Sequence, residues 1–238
     1  MIKAVVFDAD DTLWDCQSHF VEVEEDYASL LAEYGVDKEK AKRRLFETEC
    51  RNMPLLGFGV KAFTISLIEN ANAMTDGRIG GEGIRRILEL GRSLLTLPAT
   101  PLDGVVEVLE SLSHRGGLKL AVFTKGELLD QHGKLERSGL SHYFDYVKVV
   151  NDKTPDAVRL LCRELGIEPE EMLMVGNSFK SDVIPAVETG AYAIHVPAKR
   201  IWQYEHVKAY AHPRVRTISN IRDLCRAVTC NGHNPQLQ

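Results

Sequence analysis

Most of the chain alternates short apolar runs with helical periodicities, and one long stretch interrupts that rhythm. Ala4 to Phe7 is a continuous apolar run that breaks at Asp8, as expected of a strand buried on both faces. From about 17 to 50 the period lengthens. Phe20, Val23, Tyr27, Leu30 and Leu31 recur at helical spacing before a stop at Gly35, and a charged helix over 38–49 keeps Ala41, Leu45 and Phe46 on one side. The Pro- and Gly-containing stretch 52–59 is expected to be a loop, followed by helices over 60–74 and 83–97 that end at Pro98 and Pro101. No strand pattern occurs in this stretch, which reads as a helical module inserted after the first strand. From Leu102 the rhythm becomes helix, strand, helix, strand. Helices are expected over 105–113, 128–137, 156–165, 183–188 and about 221–227, with strands over 118–123, 146–150, 172–175 and 192–196.

Short apolar strands alternating with helices predict an α/β fold, a Rossmann-like parallel sheet with helices on both faces. Residues 1–14 and 98–238 are assigned to it, 15–97 to the all-helical insertion, and 231–238 to a flexible polar tail. Ligands in such a fold bind beyond the carboxyl ends of the strands, so the residues after each strand are the candidates for chemistry.

After the first strand come Asp8, Asp10 and Asp11. Alternate strand residues share a face, so Asp8 and Asp10 point the same way. Two adjacent carboxylates repel, which favours a proton or a cation between them; a pair of turn formers or helix caps is the plainer alternative. A calcium loop starting at Asp8 is excluded, because Leu13 and His19 stand where it needs Gly and Glu. After the second strand, Thr124, Lys125 and Gly126 open a helix, either as an anion site or as a simple cap. After the third, Lys153 supplies a positive charge to a phosphate or to the carboxylates, or is merely solvated. After the fourth, Asn177 and Asp182 offer oxygen ligands suited to Mg²⁺.

These residues, in this order, resemble the haloacid dehalogenase-like hydrolase superfamily. The resemblance is carried by Asp8-Ala9-Asp10-Asp11-Thr12, Phe123-Thr124, Lys153 and Gly176-Asn177-Ser178 with Asp182, and it spans the chain. It implies a catalytic α/β core with a helical cap of the C1 type between the first and second motifs. It further implies that Asp8 is the nucleophile and that Asp10 passes a proton to the leaving oxygen and later takes one from water. Thr124, Lys125, Gly126 and Lys153 would hold phosphate, and Lys153 would orient the nucleophile. Asp8, Asp10 through its carbonyl, Asp182 and Asn177 would hold Mg²⁺. Many members carry Asp where this chain has Asn177, and Asn where it has Lys125.

Within that superfamily an acid two residues after the nucleophile favours an Mg²⁺-dependent phosphatase acting through an aspartyl-phosphate. The alternatives are a phosphomutase, a 2-haloacid dehalogenase, which needs neither that acid nor a metal, and a non-catalytic phospho-ligand-binding protein. The expected partner is a small phosphorylated metabolite. Which one is not readable from the cap, where Arg51, Asn52 and Lys61 are either contacts to the leaving group or solvated.

Composition adds limits rather than a function. The 238 residues are 44% hydrophobic and 26% charged, with a net charge of -5 and no basic run of the kind that binds nucleic acid. No apolar run approaches the ~20 residues of a membrane span, and strand-like sequence from Ile2 leaves no room for a signal peptide. The five cysteines are scattered, as in a reducing cytoplasm. Cys225, Cys230 and His233 lack a fourth zinc ligand. Gly57-Phe58-Gly59-Val60-Lys61-Ala62 has the letters of a dinucleotide fingerprint, but no strand precedes it.

Overall fold

The computed structural model describes residues 1–207 and 210–229. The chain divides into two units, Met1–Asp15 with Ala99–Gln238, and Cys16–Pro98.

The first unit is built on a six-stranded sheet whose paired neighbours are all parallel. Its strands are β1 (Ala4–Phe7), β2 (Lys119–Lys125), β3 (Tyr146–Val150), β4 (Met172–Gly176), β5 (Tyr192–His195) and β6 (Val215–Thr217), in the order β3-β2-β1-β4-β5-β6. Strand alternation sorts the apolar residues into two layers. Val5, Phe7, Leu120, Val122, Leu173, Val175 and Ile194 face one side. There they meet Val105, Val108, Leu109 and Leu112 of helix Val105–Ser113, Leu135 of helix Leu128–Arg137 and Leu224 of helix Leu224–Thr229. Ala4, Val6, Ala121, Phe123, Met172, Met174 and Ala193 face the other side. They pack on Val158, Leu161 and Leu165 of helix Pro155–Leu165 and on Ala186 and Val187 of helix Ile184–Glu188. The expected α/β sheet with helices on both faces is what forms.

The second unit has four helices, Gln17–Ala32, Lys38–Leu56, Val60–Met74 and Gly81–Leu95. In chain order the helices of both units are therefore α1 to α4 (Gln17–Ala32, Lys38–Leu56, Val60–Met74, Gly81–Leu95), α5 (Val105–Ser113), α6 (Leu128–Arg137), α7 (Pro155–Leu165), α8 (Ile184–Glu188) and α9 (Leu224–Thr229). The helical unit has its own core, in which Tyr27, Leu30, Leu31, Leu45, Leu67, Ile87 and Leu94 are buried. Among the polar groups that enter it, the Tyr27 hydroxyl donates to the Leu67 carbonyl at 3.1 Å and accepts from Asn70 at 2.8 Å.

Three features differ from expectation. Helix α2 runs through Pro54 to Leu56 instead of giving way to a loop at 52. Proline there removes one hydrogen bond near the helix end, and Gly57, at φ 73°, makes the actual stop. Gly59 then caps α3, so the glycines of the apparent dinucleotide motif join two helices. Before α8, residues Phe179–Val183 form a wide π-helical turn. Strand β6 is not foreseen, because three residues, two of them exposed, carry no periodic signal. Cys230, His233 and the polar tail 231–238 lie outside the described residues. Among the described residues no helix is long and apolar enough to cross a membrane.

Candidate active site

Because the strands are parallel, the residues following β1, β2, β3 and β4 emerge along one edge of the sheet. Asp8 leaves β1 with its N–H donated to the Val175 carbonyl of β4 at 2.9 Å. The chain then turns tightly: Thr12 and Leu13 donate to the Ala9 carbonyl at 3.2 and 2.8 Å, and Asp11 donates to Trp14 at 2.7 Å. Asp11 sits at φ 62°, a left-handed conformation that Asp tolerates better than most residues. The turn aims two side chains back at the strand end. The Thr12 hydroxyl donates to Asp8 Oδ2 at 2.8 Å, and the Trp14 indole to Asp10 Oδ1 at 2.7 Å.

Lys153 occupies the centre. Its side chain is 1% exposed, and Nζ donates to Asp8 Oδ1 at 2.5 Å and to Asp182 Oδ1 at 2.6 Å. The second Asp182 oxygen accepts the Ser178 N–H at 2.9 Å. Thr12 also reaches Asn177 Oδ1 at 3.2 Å. Asp8, Asp182, Lys153, Thr12 and Asn177 therefore form one hydrogen-bonded set. Burial, and then the neighbouring Asp182, push the Asp8 carboxyl up to about 7, with Lys153 opposing. Burial would lower the proton affinity of Lys153, but Asp182 and Asp8 outweigh it and hold the ammonium above its ordinary value.

Gly176 makes room for Asp182. A Cβ at Gly176 would lie 2.3 Å from Asp182 Oδ2 and 2.6 Å from its Cβ. Asp182 is buried and tied to Lys153, so it has nowhere to move. Gly176→Ala is expected to lower folding stability by about 1–3 kcal/mol, read as a lower urea midpoint with an unchanged denaturant slope.

Asp10 belongs to an adjoining set. Lys134 of α6 donates to both its carboxylate oxygens, at 2.8 and 2.7 Å, and Gln131 donates to Oδ2 at 2.8 Å. Burial opposes ionisation, yet Lys134, Gln131 and Trp14 together hold the Asp10 carboxyl below its usual range. Motif order does not reveal Lys134 or Gln131. The available signal is a polar pair three residues apart, hence on one helix face, with both members buried.

The last residues of β2, expected to follow it, belong to the strand and separate. Val122 lies on the α5 and α6 side of the sheet and Phe123 on the α7 and α8 side, so alternation sends Thr124 one way and Lys125 the other. Thr124 is buried at the strand end. Lys125 donates to the Ser181 hydroxyl at 2.8 Å and pairs with Glu205, whose carboxylate also accepts from Ser178 and, at 2.7 Å, from Ser181. Burial resists this, but Lys125, Ser178 and Ser181 hold the Glu205 carboxyl below its ordinary value. Lys125 thus has an internal anion where the motif suggested a phosphate. Glu205 lies in a short turn, Gln203–Glu205, with no signal in the apolar pattern. Gly126 gives its N–H to the Val150 carbonyl at 3.1 Å, so this donor is engaged within the sheet edge. Its φ of 139° and the Gln131 amide, 3.0 Å from a Cβ at that position, make glycine a steric requirement.

In the helical unit Arg51 pairs with Glu69 at 2.6 Å, and Asn52 donates to Ser66 at 3.1 Å and to Glu69 at 2.9 Å. These two side chains are engaged with their own unit.

The donor set suits Mg²⁺. Two buried carboxylates share a single ammonium, leaving negative charge in excess, and the Asn177 amide adds a neutral oxygen nearby. Among the described residues no three His, Cys, Asp or Glu side chains converge to enclose a metal. Mg²⁺ is ordinarily held by one or two carboxylates while keeping waters and substrate oxygens, a number of carboxylates that Asp8 and Asp182 meet.

Comparison with known proteins shows the family of the chain. Residues 2–190 match the family model for haloacid dehalogenase-like hydrolases. Glyceraldehyde 3-phosphate phosphatase of Methanothermobacter thermautotrophicus is 28% identical over 206 residues, covering 82% of this chain and 86% of that protein. Phosphoglycolate phosphatase of Chromobacterium violaceum is 29% identical over 201 residues, with 82% and 85% covered. Among solved structures, a haloacid dehalogenase-like family hydrolase from Xanthomonas campestris superposes with a TM-score of 0.86 at 32% identity, covering 95% of this chain and 90% of that one. L-2-haloacid dehalogenase from Xanthobacter autotrophicus shares the fold, with a TM-score of 0.69 at 22% identity and coverage of 97% and 99%.

Proposed function

Because the chain belongs to the haloacid dehalogenase-like hydrolase family, we propose that it is an Mg²⁺-dependent phosphatase of a small phosphorylated metabolite, working through an aspartyl-phosphate. The observation that carries this reading is the buried Asp8 carboxylate, shared through Lys153 with Asp182, with a second carboxylate, Asp10, held separately two residues on. The phosphatase names of the relatives support the substrate class. We assign the chemistry to the α/β unit.

In this reading an Asp8 oxygen attacks phosphorus, the bond from phosphorus to the ester oxygen breaks, and the departing oxygen takes a proton from Asp10. Water then gives a proton to Asp10 and attacks the same phosphorus, releasing inorganic phosphate and restoring the Asp8 carboxylate. Lys153 and Thr12 fix the attacking carboxylate, and Lys153 offsets the repulsion between it and the incoming phosphate. A phosphate dianion beside Asp10 counters the pull of Lys134 and raises the proton affinity that Asp10 needs as an acid. Asp8, Asp182, the Asp10 carbonyl and Asn177 would hold Mg²⁺. Bound there, the cation supplies charge neutralisation at the phosphate oxygens.

The purified protein is expected to hydrolyse p-nitrophenyl phosphate with Mg²⁺, to lose that activity in EDTA and to regain it when Mg²⁺ is restored. Asp10 argues against dehalogenation, because expelling a halide from carbon needs no proton. Metal-independent turnover of a 2-haloacid, with none of the phosphomonoester, would overturn the reading. A screen of phosphorylated metabolites then identifies the substrate.

A further inference from the structure

Asp10 is held more firmly than a turn residue requires. Its carboxylate receives the Trp14 indole on Oδ1, the Gln131 amide on Oδ2 and the Lys134 ammonium on both oxygens, all between 2.7 and 2.8 Å. The Lys134 side chain is 4% exposed, and an ammonium is costly to bury unless its charge is answered.

A structural ion pair fastening α6 to the sheet is the simpler explanation, and two observations weigh against it. Leu135 already anchors α6 in the apolar layer. Lys134 also has a carboxylate one turn away on its own helix, Asp130, yet sits 3.4 Å from that oxygen and 2.7 Å from Asp10. The cluster tolerates poor local satisfaction to keep this aim: Asp130 Oδ1 and Gln131 Oε1 are buried and accept no hydrogen bond from the protein. The donors are thus turned toward Asp10 rather than toward these neighbours.

We propose that Lys134, assisted by Gln131, is a positioning residue that fixes the Asp10 carboxylate in the one orientation from which it exchanges a proton with the leaving oxygen. This rests on the phosphatase reading above, in which Asp10 carries that proton. A carboxyl group must come within hydrogen-bond reach of the oxygen it protonates. A cation spanning both carboxylate oxygens removes the rotation about the last side-chain bond. Trp14 is part of the same turn as Asp10 and moves with it, whereas Lys134 and Gln131 stand on a separate helix and supply a fixed reference.

Leaving groups separate positioning from mere folding. p-Nitrophenolate departs without help, whereas an alkoxide needs the proton. Lys134→Met is expected to lower kcat/KM for an alkyl phosphate such as 2-glycerophosphate roughly tenfold more than for p-nitrophenyl phosphate, a fraction of what a general acid contributes. The loss should appear in kcat rather than KM, and Lys134→Arg should recover most of it. In an Asp10→Asn background, Lys134→Met should add no further leaving-group dependence. Gln131→Met removes a neutral donor without stranding a charge, so it should show the same selectivity to a smaller degree even where Lys134→Met folds poorly. Equal losses on both esters in both variants, or the same extra loss without Asp10, would make the cluster a structural brace only. If Asp10→Asn itself shows no leaving-group dependence, the phosphatase reading fails at Asp10, whatever Lys134 does.

Discussion

Asp8→Asn should reduce phosphomonoester turnover by at least about 10⁴-fold, the scale of losing a nucleophile that no other group replaces. The Asn side chain keeps the shape of Asp8 and can still meet Thr12, so the loss is chemical rather than architectural. Stability should move in the opposite direction as pH rises. The Asp8 carboxyl ordinarily releases its proton near 3.8 but is pushed up to about 7 in the fold. A group with raised proton affinity in the folded state costs nothing below its unfolded value. Its penalty grows as pH rises from about 4 to 7 and is constant above that window. Asp8→Asn has no such penalty, so its stability relative to the parent protein should improve by roughly 2–4 kcal/mol between pH 4 and pH 7.5 in EDTA. Urea denaturation at the two pH values measures it. A difference independent of pH would show that Asp8 is not strained by burial and by Asp182. Turnover surviving in Asp8→Asn would remove it as the nucleophile.

Lys153→Met should have the largest effect on folding. Lys153 is the cation between Asp8 and Asp182, and its side chain and that of Asp182 are both 1% exposed. Removing one partner of a buried ionic cluster costs about 3–5 kcal/mol, because the remaining charges are left unanswered. Here two carboxylates would face each other. The defect should therefore be greatest near pH 8 and shrink toward pH 4, as one carboxyl takes up a proton. Mg²⁺ should restore part of the lost stability, because a cation that binds only the folded state shifts the equilibrium toward it. Turnover should fall as well, and Mg²⁺ should not restore it, since the side chain that orients Asp8 is gone. Thermal melts with and without Mg²⁺ at both pH values test these expectations. A loss of stability unaffected by either pH or Mg²⁺ would mean that Lys153 serves packing alone.

The legible parts of this protein share a physical character. Buried strands and amphipathic helices announce themselves because one apolar period persists for several residues, as in Val60–Met74, Val105–Ser113 and Tyr146–Val150. Elements without such a period do not: β6 has three residues, and the turn carrying Glu205 is shorter than one full helical cycle. Pro54 misleads because its cost depends on position, and near a helix end it breaks little.

The order of chemical groups at the strand ends is a property of the sequence alone. Carboxylates after β1, a hydroxyl and an amine at the end of β2, an amine after β3, and an amide and a carboxylate after β4 can all be read in line. Which amine answers which carboxylate was decided only by the tertiary structure. Lys153 reaches Asp8 across 145 positions and Lys134 reaches Asp10 across 124, while Lys125 goes to Glu205, 80 positions ahead. Strand order β3-β2-β1-β4-β5-β6 and the alternation of faces set those pairings. A lysine is identical in sequence whether its strand or helix presents it to one side of the sheet or the other, and burial makes the nearest carboxylate its partner.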